Sequence, residues 1–441
     1  MKVLFVVTAF YPEQAIGSIR ITKFVKYLQK NKVDVSVVSL SPPPWSTRDE
    51  SLYFKGLKNI DWKVIDQSPV FKKVFQKMRI ITVGTVPGNA ANYSESRNSF
   101  KAKVRKFAQF FYTFLKGIDW SIRVKRYAKK YLKNHDYDYI FCSYPSFASP
   151  LSGIKLKKLG IGKKLVVDFR DPILEKKTSR LNLRFLIQKH ILKNSDLRIF
   201  ISKGVQKQID NNFIDLKNII APNGFDPKDK TNLQLLDSNK SNSTTLRFVY
   251  TGAIYGGKRD LNPFFEAISK IMSDSKNKNY NLSLEYAGKE GNLFLEQAKK
   301  FNLSKYVIDH GQLTRSNSLK LQYQSDICLL ATWNTRFEQG ALTGKIFEYF
   351  MFRKPIVAIV MGDLAGSEIS KLIKKIGAGF CFEEADPDSF NNLKIWLENA
   401  IIKKNTKSQV ENHYNDGVNA FDIRQIALNI NTKMQEMIDK E

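Results

Sequence analysis

The sequence predicts an α/β protein of two parallel-sheet domains, on three observations. Short apolar runs without polar alternation recur along the chain, separated by segments of helical length, as strands covered on both faces require. The rhythm lapses in a polar stretch, 227–245, and then begins again. Several of the runs end in loops carrying glycine and charge, where open α/β sheets bind their ligands. With 441 residues, 43% of them hydrophobic and 12% aromatic, the chain is long and apolar enough for two or three cores.

The first run, Lys2 to Thr8, leads through Ala9-Phe-Tyr-Pro-Glu-Gln-Ala-Ile-Gly17-Ser into a helical pattern from Ile19 to Asn31 and a second strand, Val33 to Leu40. The loop holds a single glycine, Gly17, and so lacks the dinucleotide-binding G-x-G-x-x-G pattern. It is either a plain connection or a ligand loop at a strand's C-terminal edge. Residues 41–98 are irregular. Further strands run Tyr139 to Ser143, Lys164 to Phe169, Leu197 to Ile201 and Asn218 to Ala221, with helices Leu181 to Asn194 and Lys203 to Asn211 between them. The second of these strands ends in Asp168-Phe-Arg-Asp-Pro172, either a substrate-facing turn or a salt-bridged one.

Charge adds a constraint on partners. Lys and Arg total 71 against 42 acidic residues, a net +29, which points to nucleic acid, an anionic membrane surface or phosphorylated substrates. Residues 101–134 hold eleven of these cations and one acid, Asp119, around Phe107, Phe110, Phe111, Tyr112, Phe114 and Trp120. That pattern predicts a helix at an anionic bilayer, where each cation adds about 1 kcal/mol of attraction. Its rival is a helix whose aromatics are core and whose lysines are solvated. Cys142, Cys328 and Cys381 are odd in number and far apart, giving neither a disulfide framework nor a metal spacing. They suit a reducing, cytoplasmic setting. The apolar run Val3 to Phe10 is short for a signal core and reads better as a buried strand. No run reaches the roughly 20 apolar residues that span a bilayer.

The second domain begins with strand Leu246 to Thr251 and the loop Gly252-Ala-Ile-Tyr-Gly-Gly-Lys258-Arg259, followed by a helix through Met272. Strands Leu282 to Ala287, Val307 to His310, Ile327 to Ala331, Ile356 to Val360 and Gly379 to Phe382 follow. Between Ile327–Ala331 and Ile356–Val360, Thr343-Gly-Lys-Ile-Phe-Glu-Tyr-Phe-Met-Phe352 reads as a helix with Thr343 as N-cap, ending ahead of Pro355. Lys345 and Glu348 fall on one face. A lysine in the first turn opposes the helix dipole unless an anion sits there too, held by free N–H groups. The stretch is therefore either a diphosphate site with a carboxylate for sugar hydroxyls or an amphipathic helix with a surface ion pair. An amphipathic helix, Ala420 to Ile438, closes the chain.

Taken in order, the loop ending Ile16-Gly17, Asp168-Phe-Arg-Asp-Pro172, Ile201-Ser202, Ala221-Pro-Asn-Gly-Phe-Asp226, Tyr250-Thr-Gly252 and Gly344-Lys-Ile-Phe-Glu-Tyr349 with Lys354-Pro355 resemble a glycosyltransferase of family 4, bacterial polysaccharide branch. The resemblance implies the GT-B fold: two Rossmann-like domains facing a cleft, with the last helix packing back on the first. The domains would be 1–226 on the acceptor side, a linker 227–245, a nucleotide-sugar-binding domain 246–415, and a returning helix within 416–441.

The resemblance also implies roles. Gly17, Gly252, Thr343, Gly344, Lys345 and Glu348 would bind the donor, Glu348 at the ribose. Lys258, Arg259 and Lys345 would stabilise the departing diphosphate, and Arg170 and Asp171 would position the acceptor. Neither metal nor other cofactor is expected, and the reaction would retain anomeric configuration. Two departures stand out. The family's first glutamate would fall at Gly340, with Glu338 out of register, and Arg170 replaces its usual histidine. The expected partners are a nucleotide-sugar donor, a glycan or lipid-linked acceptor and an anionic membrane surface through residues 100–134, with no nucleic acid. The expected place is the inner face of the cytoplasmic membrane. Rivals are a nucleotide-sugar epimerase of the same fold and, on charge alone, a nucleic-acid-binding protein, which would show a steep salt slope.

Overall fold

A computed structural model of the protein describes residues 1–42, 46–73, 100–171, 183–209, 218–234, 245–274, 280–336, 342–406 and 413–439. It divides into two compact units, Met1–Pro222 with Arg424–Glu441, and Asn223–Ile423.

The first unit is built on a seven-stranded parallel sheet, ordered β3-β2-β1-β4-β5-β6-β7. Its strands are β1 Lys2–Val7, β2 Asp34–Leu40, β3 Asp61–Ile65, β4 Tyr137–Tyr144, β5 Gly162–Phe169, β6 Leu197–Phe200 and β7 Asn218–Ile220. The order reverses at β1, where Val3 pairs with Val35 on one side and Tyr139 on the other. Such a switch point leaves a crevice at the strands' C-terminal ends. Strand β3 lies in the stretch read as irregular. It is a short edge strand, mostly exposed, and so carries little hydrophobic pattern.

Helix α1, Ile16–Lys30, starts three residues earlier than its sequence pattern suggests, placing Gly17 inside the first turn. Ile21, Phe24, Val25 and Leu28 form its buried stripe. Helix α2, Phe100–Tyr131, buries part of the aromatic cluster and exposes another part. Trp120, Val124 and Ala128, four apart, are fully buried, and Trp120 Nε1 donates to the Ile65 carbonyl at 2.9 Å. Phe110 and Phe114 pack on Phe147, with centroids 5.9 and 6.2 Å away. Trp120 is core, and Phe110 and Phe114 pack half-buried against that core, because a helix lying along a sheet must bury one face. The opposite face exposes Phe111, Ile122, Lys125, Arg126, Lys129, Lys130 and Tyr131. The Phe107 side chain lies outside the described residues. Helices α3 Ala148–Lys158, α4 Leu183–Asn194 and α5 Lys203–Ile209 complete the connections.

The second unit repeats the plan with six parallel strands, ordered β10-β9-β8-β11-β12-β13. They are β8 Leu246–Thr251, β9 Leu282–Ala287, β10 Val307–Asp309, β11 Ile327–Trp333, β12 Ile356–Met361 and β13 Gly379–Glu383. Its helices are α6 Pro227–Gln234, α7 Asn262–Ser273, α8 Gly291–Lys299, α9 Arg315–Gln324, α10 Gly344–Phe352, α11 Glu368–Ile376 and α12 Ser389–Asn405. One face of the sheet buries Phe248, Leu284 and Leu329 against Phe264, Ile268 and Leu397. The other buries Cys328, Leu330 and Ala358 against Ile346, Phe350 and Ile373.

Part of the stretch read as linker is the helix α6. Pro227 opens it with its pre-set backbone angle, and the Asp226 carboxylate accepts from the Lys228 N–H at 3.1 Å. Its polar composition hid it, because an eight-residue helix with one packed side needs few apolar residues. The last helix, α13 Ile423–Ile438, belongs to the first unit, where Tyr139 Oη donates to the Met434 carbonyl at 2.6 Å.

Candidate functional site

In the second unit the loop after β8 passes through Gly252 at φ +128°, which an L side chain rarely adopts. A β-carbon built there would lie 3.9 Å from both Arg259 Nη1 and Lys345 Cε. The glycine is thus required by its backbone angle, and two cations flank it. Arg259 is steadied by Nη1 donating to the Ala253 carbonyl at 3.1 Å and by stacking 4.6 Å over the Tyr255 ring. Lys258 is directed elsewhere, with Nζ 3.7 Å above the Trp333 ring. Of the predicted basic pair, only Arg259 therefore stands beside Gly252.

Lys345 lies in the first turn of α10, and its Nζ is 2.9 Å from Glu348 Oε2. Both expectations for this stretch are met in part, since an ion pair exists but lies only 30% and 20% exposed. Thr343 has the extended backbone of an N-cap, yet its side chain caps nothing, and its buried Oγ1 finds no hydrogen-bond partner among the described residues. The first N–H groups of the helix, at Gly344 and Lys345, have no intrahelical acceptor either. A helix start whose first donors lack intrahelical acceptors, with a lysine beside them, is disposed to hold an anion.

Glu348 is the best-connected group of the site. Burial opposes its charge, but Lys345 and Arg315, with hydrogen bonds from Lys345 and Gln322, outweigh this and hold its carboxyl below the usual range. Gln322 Nε2 donates to Glu348 Oε2 at 2.8 Å and to Thr251 Oγ1 at 2.9 Å. Arg315, at the start of α9, pairs with Asp229 of α6 at 2.6 Å. Gln322, Arg315 and Asp229 escaped the sequence reading, since polar residues on ordinary helices carry no spacing signal.

A further missed residue is Glu290. Its carboxylate accepts from three successive N–H groups, Ile254 at 2.6 Å, Tyr255 at 3.0 Å and Gly256 at 2.8 Å. The positive φ of Tyr255, Gly256 and Gly257 curls the loop into this nest. The glycines of Gly288-Lys-Glu-Gly291, after β9, were the available clue. The loop's amides therefore grip the protein's own carboxylate, leaving side chains and the α10 start to meet a ligand. Among the described residues, no three His, Cys, Asp or Glu side chains gather to hold a metal ion. Gly340 and Glu338 lie outside the described residues.

In the first unit, Arg170 follows β5, and its side chain reaches across the end of β4 toward Gly17. Its Nε donates to Ser143 Oγ and the Tyr144 carbonyl, both at 3.1 Å. A β-carbon on Gly17 would come 2.1 Å from Arg170 Nη1, so the glycine makes room for the guanidinium. Burial pulls the Arg170 pKa below its ordinary value, with Asp168 and Asp171 working the other way. Glu13 is a neighbour, its carboxyl pushed up by burial against the pull of Lys116 and Arg170. Asp171 is exposed to solvent. Asp168 is engaged differently: it forms a buried two-pronged pair with Arg20, at 2.8 and 3.0 Å. Arg20 also donates to the Ala221 and Pro222 carbonyls, at 2.7 and 2.8 Å. For Asp168 the salt-bridge reading of the turn is the right one, with Arg20 rather than Arg170 as partner.

The sequence matches no family model and no curated protein. Solved structures do match along the whole chain. Sucrose-phosphate synthase from Thermosynechococcus elongatus aligns with a TM-score of 0.62 at 12% identity, over 100% of each chain. A trehalose-6-phosphate protein from E. coli, bound with UDP-2-fluoro glucose, aligns at 0.62 and 12%, over 98% of this chain and 99% of that one. The lipopolysaccharide outer core galactosyltransferase WaaB, in apo form, aligns at 0.56 and 10%, over 99% and 100%. The fold they share with this chain is GT-B.

Proposed function

We propose that the protein is a retaining, metal-independent glycosyltransferase that moves a sugar from a nucleotide donor to a glycan or lipid-linked acceptor in cell-surface polysaccharide synthesis. The observation that carries this reading is the grouping of Arg259, Lys345 and the uncapped start of α10 around Gly252, with Glu348 one turn deeper. Two structural neighbours are named for sugar-transferring enzymes, and a third holds a UDP-sugar, which supports a nucleotide-sugar donor here.

In this reading the bond between the sugar and the β-phosphate oxygen breaks, and negative charge grows on the departing nucleoside diphosphate. Arg259 and Lys345 are fixed before that charge appears, so they stabilise the transition state without reorganising. Two fixed cations supply the charge for which other enzymes recruit a divalent ion. Lys258, with its ammonium over Trp333, would leave that ring to join them at the diphosphate. Glu348 accepts hydrogen bonds from the ribose hydroxyls. Arg170 and Asp171 position the acceptor in the first unit. The exposed cations of α2, together with Lys133, draw the protein to an anionic lipid surface at the cytoplasmic face of the membrane.

A thermal-shift screen against UDP-, GDP- and CMP-sugars tests the donor reading, since a ligand that binds only the folded state raises its stability. One sugar nucleotide should raise Tm, and Lys345→Ala and Arg259→Ala should each abolish the rise. If no nucleotide sugar binds and Lys345→Ala changes nothing, the reading is wrong. Sedimentation with phosphatidylglycerol vesicles tests the membrane face, which should be lost when Lys125, Arg126, Lys129 and Lys130 become Gln.

A further inference from the structure

Glu348 has two carboxylate oxygens, and they are in different situations. Oε2 accepts from both Lys345 Nζ, at 2.9 Å, and Gln322 Nε2, at 2.8 Å. Two donors fill the two lone-pair directions of that oxygen. Oε1 takes no hydrogen bond among the described residues, so it alone remains to receive a ligand's hydroxyl. What keeps the two oxygens apart in this way is Gln322.

Gln322 is completely buried in α9. Its Nε2 faces three acceptors, Glu348 Oε2, Thr251 Oγ1 at 2.9 Å and Ser318 Oγ at 3.4 Å. The amide has only one orientation available. Turning it over would set its oxygen against a carboxylate, which accepts and cannot donate. Thr251 is the last residue of β8, next to Gly252, while Glu348 sits on α10. One buried side chain therefore ties the strand end that carries the glycine to the helix that carries the carboxylate and Lys345.

We propose that Gln322 is a positioning residue for donor recognition: through its bridge from Thr251 to Glu348 it saturates Oε2 and presents Oε1 to the vicinal hydroxyls of a ribose. The proposal rests on the donor reading above and deepens it. Gln322 itself touches no substrate. It acts on selectivity for the ribose and leaves the diphosphate to Arg259 and Lys345.

The test compares UDP and GDP, their 2′-deoxy forms and inorganic pyrophosphate on the full chain by isothermal titration calorimetry. Wild-type protein should prefer the ribonucleotide, and Gln322→Leu should lower that preference about tenfold, the worth of one hydrogen bond to a charged group. Pyrophosphate affinity should change less than about twofold, because no cation loses its place. The acid limb of nucleotide binding should also move to higher pH in Gln322→Leu, since a donated bond that favours the carboxylate is gone. The other groups around Glu348, namely Lys345, Arg315 with Asp229, Cys328 and Tyr349, are untouched by that change. If Gln322→Leu does not fold, the isosteric Gln322→Glu gives the same readouts, with a larger upward shift of the acid limb. An unchanged ribose preference and acid limb would overturn the proposal. So would an equal loss of pyrophosphate, which would mean that Gln322 acts on the fold. Failure of wild-type protein to bind nucleotide or pyrophosphate would instead sink the donor reading beneath it.

Discussion

Lys345 Nζ stands 2.9 Å from Glu348 Oε2, one helical turn deeper in α10, so the cation at the helix start and the carboxylate behind it form one unit. Removing the lysine has two separable effects. Turnover should fall about 10²- to 10³-fold in Lys345→Ala, measured as kcat with saturating donor. The second effect is on pH. The Glu348 carboxyl is held below its ordinary range, so its contribution to stability is complete above that range and fades as pH falls through its folded-state pKa. In Lys345→Met that carboxyl rises, and the acid loss of stability should begin at higher pH than in wild type. Urea unfolding at a series of pH values between about 3 and 7 follows it.

The Arg20–Asp168 pair is nearly inaccessible, its side chains 2% and 0% exposed. Asp168→Ala leaves a buried guanidinium without its counter-ion and should cost about 3–5 kcal/mol. Replacing both partners, Arg20→Met with Asp168→Leu, should recover much of that loss, because neither charge then needs compensation. Chemical denaturation of the two variants checks the order.

Gly17 separates structural from functional demand. Its φ is ordinary, and alanine is the better helix former by about 1 kcal/mol. The added β-carbon nonetheless meets the end of the Arg170 side chain, which must swing away. Gly17→Ala should therefore keep its Tm to within a few degrees while losing activity about 10²-fold, the scale of a misplaced positioning group. A large drop in Tm would show instead that Arg170 cannot yield.

Arg353 ends α10 at φ +51°, in the left-handed region, with its N–H bonded to the Phe350 carbonyl at 3.1 Å. Arg353→Gly should relieve about 1 kcal/mol of backbone strain. The loose contact to Asp416, 3.9 Å between exposed groups, subtracts little. A rise in Tm of about 2–4 °C in differential scanning fluorimetry would agree, and a fall would show that Arg353 holds more than that exposed contact.

Much of the fold could be read along the chain because both sheets are parallel and buried, so strands such as Val3 to Val7 and Ile356 to Val360 are continuous apolar runs. Strand Asp61–Ile65 and helix Pro227–Gln234 escaped because each buries little and so carries little pattern. In the site, Lys345 and Glu348 announced themselves as a charge pair placed against a helix dipole. Arg259 was marked only by its distance from Gly252, and Lys258, its neighbour, turned out to face Trp333. Gln322 could not be read at all, and Glu290 was marked only by the glycines on either side of it. Their importance lies in which backbone and side-chain groups the fold brings to them, and a lone polar residue gives no sign of that. The aromatic cluster of α2 divides between a buried Trp120 and an exposed Phe111, since composition cannot say which face of a basic helix meets the sheet.

The carboxylate of Glu290, seated on the amides of Ile254, Tyr255 and Gly256, has a consequence for competition. A backbone cradle left empty would attract every small anion in solution, inorganic phosphate and sulfate included. With that cradle filled from within, a free phosphate would meet only the side chains of Arg259 and Lys345 and a helix end. A molecule that spans Arg259, Lys345 and Glu348 at once gains what the small ion cannot. Under the proposed donor reading, the internal carboxylate would keep small anions off these amides, so inorganic phosphate and sulfate should compete only weakly with the donor.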